Sequence, residues 1–179
     1  MEQYLPLGLA IGAGSILALM CYQDWQARSI SWPAFPALGV ALVALHLLRA
    51  PAAEVAGQVA VSWAALAILL AALTVYVRLR FRNLRLWDCL GSGDVLYWVV
   101  AALYFAPAGF LLYFLGSSVV ALITAAVAQW HRPVALAAFR IPLAGVQAAC
   151  LLLVLGIQYL APAWPAPGSD LDRLTLLLS

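Results

Sequence analysis

Every arginine in this chain lies outside the apolar runs: eight fall between them and Arg173 follows the last. The runs cover roughly residues 5–22, 33–48, 56–77, 94–107, 109–129 and 142–161. A helix crosses the hydrocarbon of a bilayer with about 20 apolar residues, and a spanning segment must satisfy its backbone polar groups internally. The pattern therefore predicts an all-α polytopic membrane protein, a bundle of about six transmembrane helices. A chain that is 66% hydrophobic and 9% charged is not a soluble domain. The second and fourth runs are short. The fourth and fifth meet at Pro107-Ala108-Gly109 with no charge between them, which predicts a tight turn near one membrane face. Glu2 precedes the first run and no basic residue does, which is the wrong flank for a cleaved signal peptide, so that run is expected to stay as a helix.

The arginines also set the orientation, because loops kept in the cytoplasm are enriched in basic residues. Arg28, Arg78, Arg80, Arg82, Arg85, Arg132 and Arg140 fall on one side, and Arg49 and Arg173 on the other. Seven against two predicts that both termini lie outside. The alternation Arg78-Leu79-Arg80-Phe81-Arg82 reads as a short extended or interfacial segment that anchors to anionic lipid. A net charge of +2, made by scattered arginines without a lysine, gives no nucleic-acid footprint. Cys21, Cys89 and Cys150 form no metal-ligand or disulfide pattern, and His46 and His131 each stand alone, so neither a metal nor a cofactor is expected. Gly8 and Gly12 form a GxxxG pattern that predicts close approach of a neighbouring helix of the same chain. Trp25, Trp32, Trp87, Trp130 and Trp164 sit near run boundaries, as interfacial anchors do.

With that topology, two carboxylates meet one membrane face: Asp24, just past the first run, and Asp94, which follows Gly91-Ser92-Gly93 and opens the fourth. The third acid on that side is Asp88, six residues earlier, in position to hydrogen-bond the turn, to meet a basic ligand or to be solvated beside Arg85. An ionisable group at a membrane helix mouth usually has a function. An aspartic peptidase needs two carboxylates near enough to share a proton, one activating water and the other protonating the oxyanion or leaving amine. Plainer readings exist for each residue. The glycines also suit a simple turn, Asp94 suits a helix N-cap, and Asp24 suits a helical pair with Arg28.

Asp24-Trp25-Gln26-Ala27-Arg28-Ser29-Ile30, Gly91-Ser92-Gly93-Asp94 and Arg140-Ile141-Pro142 together resemble the type IV prepilin peptidases, the GxGD aspartic peptidases of the bacterial inner membrane. The resemblance spans nearly the whole chain. It implies a multi-pass enzyme that removes the basic leader of pilin or pseudopilin precursors at the cytoplasmic face, with Asp24 and Asp94 as the catalytic dyad and no metal or cofactor. The partner it implies is a precursor with a basic leader and an apolar helix, met within membrane lipid. Gly91 and Gly93, lacking Cβ atoms, would let an extended substrate backbone approach. The chain departs from the family pattern at Leu96, where a lysine is common, and at Ser31, where a proline is common and Pro33 follows two residues later. Because the chain begins directly with the first helix, it is similar to the short peptidases of Tad/Flp pili, without the N-terminal methyltransferase region of larger members.

The expected organisation is a membrane peptidase core over 1–162 and a Pro-rich outer tail over 163–179 containing a short helix after Ser169. Asp94, beside a helix N-terminus, should carry most of the dyad's negative charge and act as base, whereas Asp24, near a helix C-terminus, should start protonated. Two readings from other classes remain open on sequence alone: a catalytically silent pilus-assembly scaffold, motivated by Leu96, and a small transporter using the two acids. Against the transporter, the acids lie at one face and the two halves of the chain show no similarity.

Overall fold

The structure is a computed structural model that describes residues 4–27, 29–80, 90–131 and 143–160. The described residues form six helices and no strand: α1 (Tyr4–Ala27), α2 (Ala34–Leu47), α3 (Ala52–Arg80), α4 (Ser92–Ala101), α5 (Pro107–His131) and α6 (Leu143–Leu160). Three are long and apolar enough to cross a membrane, over Leu5–Ala27, Ala52–Arg80 and Pro107–Trp130. The outward faces are apolar along their length, with Ile11, Val40, Ile68, Leu112 and Leu122 all exposed. Such a surface suits lipid and not water. Trp25, Trp32 and Trp130 are exposed at helix ends, where amphipathic rings meet the headgroup layer.

Several sequence expectations are corrected. α1 continues five residues past the predicted first run, so Asp24 lies inside its last turns and is buried, instead of following the helix. Arg78, Leu79 and Arg80 belong to the end of α3 and are helical, not extended, while Phe81 and Arg82 lie outside the described residues. The break between the fourth and fifth runs falls at Ala102–Ala106 and not at Pro107-Ala108-Gly109. Pro107 opens α5, where its missing N–H removes only a donor that a first helical turn leaves unpaired anyway. The chain turns there by tightened bonds from Leu103 N to Val100 O (3.1 Å) and Tyr104 N to Ala101 O (3.1 Å). Gly8 and Gly12 face open space, and the close contact on α1 is at Gly14, where a Cβ would lie 3.2 Å from Leu152 Cδ1. The outer tail, Asp88 and the Trp87 and Trp164 anchors lie outside the described residues, as does the His131 side chain.

Pairwise contacts fix the helix directions. α1 and α6 run antiparallel, because Gly14 faces Leu152 at one end and Asp24 meets Gly145 at the other. α4 and α6 run parallel, with Asp94 at Ala144, Trp98 at Gln147 and Tyr104 at Gln158. The core between them is built by Ala13, Leu17 and Met20 of α1, Leu38 and Leu42 of α2, Tyr97 of α4 and Ala148 and Leu151 of α6.

The end of the bundle remote from the two aspartates is tied by polar side chains. Arg49 donates to the hydroxyls of Tyr104 (2.8 Å) and Tyr159 (3.1 Å) and to Gln158 Oε1 (3.1 Å), and its guanidinium lies 4.9 Å from the Tyr104 ring centre. His46 is buried, with Nδ1 donating to the Leu103 carbonyl at 2.8 Å and Nε2 3.0 Å from Gln58 Oε1. His46 is thus a core residue that joins α2, α3 and the turn after α4.

Candidate functional site

The two predicted carboxylates come together on a third element. The first four N–H groups of a helix have no intrahelical acceptor. In α6, two of these consecutive donors are taken by the aspartates: Ala144 N–H donates to Asp94 Oδ1 at 3.0 Å, and Gly145 N–H donates to Asp24 Oδ2 at 2.6 Å. Adjacent amides joined by ordinary bond lengths, together with those two hydrogen bonds, cap the distance between the accepting oxygens at roughly 10 Å. Asp24 thus arrives from the C-terminal end of α1, Asp94 from the N-terminal end of α4, and α6 holds both.

The fit at Asp24 depends on a glycine. A Cβ on residue 145 would lie 2.8 Å from Asp24 Oδ2, 3.0 Å from its Cβ and 3.3 Å from its Cγ. Two of these contacts are to atoms near the α1 backbone, so a methyl group there requires α1 and α6 to move apart. Asp24 is only 9% exposed, and a buried carboxylate needs donors such as this one.

Asp94 occupies the third position of α4 and folds back on its own turn, accepting the Gly91 N–H at Oδ2 (3.1 Å) while Asp94 N–H donates to Gly91 O (3.1 Å). The N-cap of α4 is thus Gly91 and not Asp94, whose side chain instead bonds back to the cap's N–H; its two oxygens serve different amides. Gly91 has an ordinary extended backbone (φ −70°, ψ 143°), so no unusual dihedral requires glycine. Its role is steric, because a Cβ there would sit 3.0 Å from Asp94 Oδ2. A Cβ at Gly93 meets nothing within 4 Å, and that position borders open space. Gly91→Ala is accordingly expected to slow the reaction proposed below by about tenfold through displacement of the Asp94 carboxylate, whereas Gly93→Ala leaves the resting geometry unchanged. Steady-state rates of the two variants check the contrast; equal effects would contradict it.

The predicted division of charge loses its premise. Asp94 gains from a helix N-terminus, as expected, but Asp24 also accepts an N–H from the N-terminus of α6, which offsets the opposing dipole end of α1. Leu96 lines an apolar cleft of about 460 Å³ with Trp32, Phe35, Gly39, Val40 and Val100. Two residues along a helix from Asp94, it faces away from the carboxylates, and its apolar character matches its surroundings.

Residue-type reasoning missed Ala144 and Gly145, whose contribution is made by backbone amides. Their one sequence signal is the run Pro142-Leu143-Ala144-Gly145 at the start of the last apolar segment, where a proline followed by small residues marks an approachable helix N-terminus. Among the described residues no group of three or more His, Cys, Asp or Glu side chains is placed to hold a metal ion. No family model, curated protein or solved structure matches this chain.

Proposed function

We propose that this protein is an aspartic endopeptidase of the bacterial inner membrane that removes the basic leader from type IV pilin-like precursors. The observation that carries the reading is the convergence of Asp24 and Asp94 on consecutive amides of α6. Two carboxylates at one helix terminus, one buried and one half-buried, are the groups that water activation and leaving-group protonation require. One carboxylate accepts a proton from the attacking water as its oxygen bonds to the scissile carbonyl carbon. The other then donates a proton to the amine as the C–N bond breaks. The pair shares its protons, so base and acid describe microstates of the dyad.

The same reading has six membrane crossings with both termini outside and the dyad at the cytoplasmic face. It is supported by the seven-to-two arginine distribution and by the antiparallel and parallel helix pairs described above. A cysteine replacing Ser29, in the α1–α2 connection, is expected to react with a membrane-impermeant maleimide only in inside-out vesicles. One replacing Ala50, beyond α2, should react only in right-side-out cells; the reverse pattern overturns the orientation.

The functional test is co-expression with a precursor carrying a basic leader and an apolar helix, followed by sequencing of the mature N-terminus. A single cut at the leader boundary that depends on this protein supports the peptidase. An intact precursor, when the same precursor is cut by a known leader peptidase, contradicts it.

A further inference from the structure

Gln147 is wholly buried, one turn beyond the two amides that hold the aspartates. A buried primary amide is costly unless its donors and acceptors are used, and this one is bonded to two other helices. Trp98 Nε1–H of α4 donates to Gln147 Oε1 at 2.6 Å, and Gln147 Nε2 lies 3.4 Å from Ser118 Oγ of α5. The backbone carbonyl of Gln147 accepts the Tyr113 hydroxyl at 2.7 Å. Because that proton is committed to a carbonyl, the 2.7 Å contact between the Tyr97 and Tyr113 hydroxyls is made by Tyr97 donating. Trp98 is held in turn by edge-to-face packing on Phe114 at 4.9 Å.

The spacing gives this network its consequence. Asp94 and Trp98 are four residues apart on α4, and Ala144 and Gln147 are three apart on α6, so each pair shares one helix face. The parallel helices are therefore pinned twice, at the mouth by Asp94 with the Ala144 amide and one turn deeper by Trp98 with Gln147. Two pins fix both slide and rotation of α6 against α4. α6 also carries the Gly145 amide that holds Asp24, so the same clamp sets the spacing between the two carboxylates.

We infer that Gln147 is a positioning residue for the Asp24/Asp94 pair, acting through Trp98 and Tyr113 without touching substrate. The inference rests on the peptidase reading for its kinetic consequence and on geometry alone for its structural one. A slide of one residue along α6 is 1.5 Å, and a misplacement of about 1 Å costs about 10²-fold in rate.

The experiment compares wild-type protein with Gln147→Leu, Trp98→Phe and the double variant, each full length in lipid vesicles with a basic-leader precursor. Trp98→Phe removes the N–H and keeps a ring against Phe114, which provides a second variant if Gln147→Leu does not fold. Each single variant should lower kcat by about 10- to 100-fold with KM within about twofold of wild type, and the double variant should be no slower than the worse single one. The second readout is infrared spectroscopy of 13C-aspartate-labelled protein, with the Asp24 and Asp94 bands assigned by their Asn variants. Both bands should shift in Gln147→Leu or Trp98→Phe. Unmoved bands in folded protein overturn the inference whether or not any precursor is cut, as does a rate loss accounted for by a smaller folded fraction. Wild-type protein that leaves intact a precursor cut by a known leader peptidase, while the bands still shift, defeats the peptidase reading and leaves the positioning role supported.

Discussion

Gly145→Ala is expected to slow precursor cleavage by about 10²-fold or more, although residue 145 supplies no side chain to the reaction. The added methyl would stand 2.8 Å from Asp24 Oδ2 and 3.0 Å from Asp24 Cβ. Rotation of the carboxylate relieves the first contact but not the second, because Asp24 Cβ moves only with α1. The helices must separate, stretching the 2.6 Å bond from the Gly145 amide and moving Asp24 relative to Asp94. Gly156→Ala provides the control within α6, since a Cβ there meets nothing within 4 Å. It should retain the wild-type rate while gaining up to about 1 kcal/mol of helix propensity. Kinetics with matched folded fractions test the pair; equal rates in Gly145→Ala and Gly156→Ala would remove the steric argument.

Replacing either carboxylate by an amide should cost about 10²- to 10⁴-fold, the range associated with general acid–base groups. The double variant should lose no more than the worse single one, because the two acids act as a unit. Asp94→Asn also has a structural side effect. Asp94 uses one oxygen for Ala144 N–H and the other for Gly91 N–H, so an asparagine must present an NH2 group to one of those donors. Asp94→Asn therefore also weakens the α4 cap, at about 1 kcal/mol. Thermal unfolding of Asp94→Asn should show that loss; wild-type stability in this variant would contradict the acceptors assigned to its two oxygens.

The helical architecture and the grouping of two acids at one end are legible in the residue string, because arginine placement and apolar run length follow directly from the cost of charge and unpaired backbone in lipid. The boundaries are less so. α1 runs on through Trp25-Gln26-Ala27 because helical hydrogen bonding does not stop where apolar residues stop, and α4 ends at Ala101 although Ala102 to Ala106 are equally apolar. The support of the dyad is the least legible part. Ala144 and Gly145 act through amides that every residue possesses, and Gly145 is distinguished only by what a distant aspartate does in three dimensions. Gln147 gives a similar lesson. In sequence it is one polar residue in an apolar helix, and its partners Trp98 and Tyr113 are 49 and 34 positions away.

Whether Asp24 and Asp94 together cut a leader peptide is decided by a time course of precursor cleavage in vesicles containing equal folded amounts of wild type, Asp24→Asn or Asp94→Asn. The predicted result is one leader-boundary product from wild type and, over the same interval, essentially none from either variant. A wild-type rate from either asparagine variant would contradict the dyad.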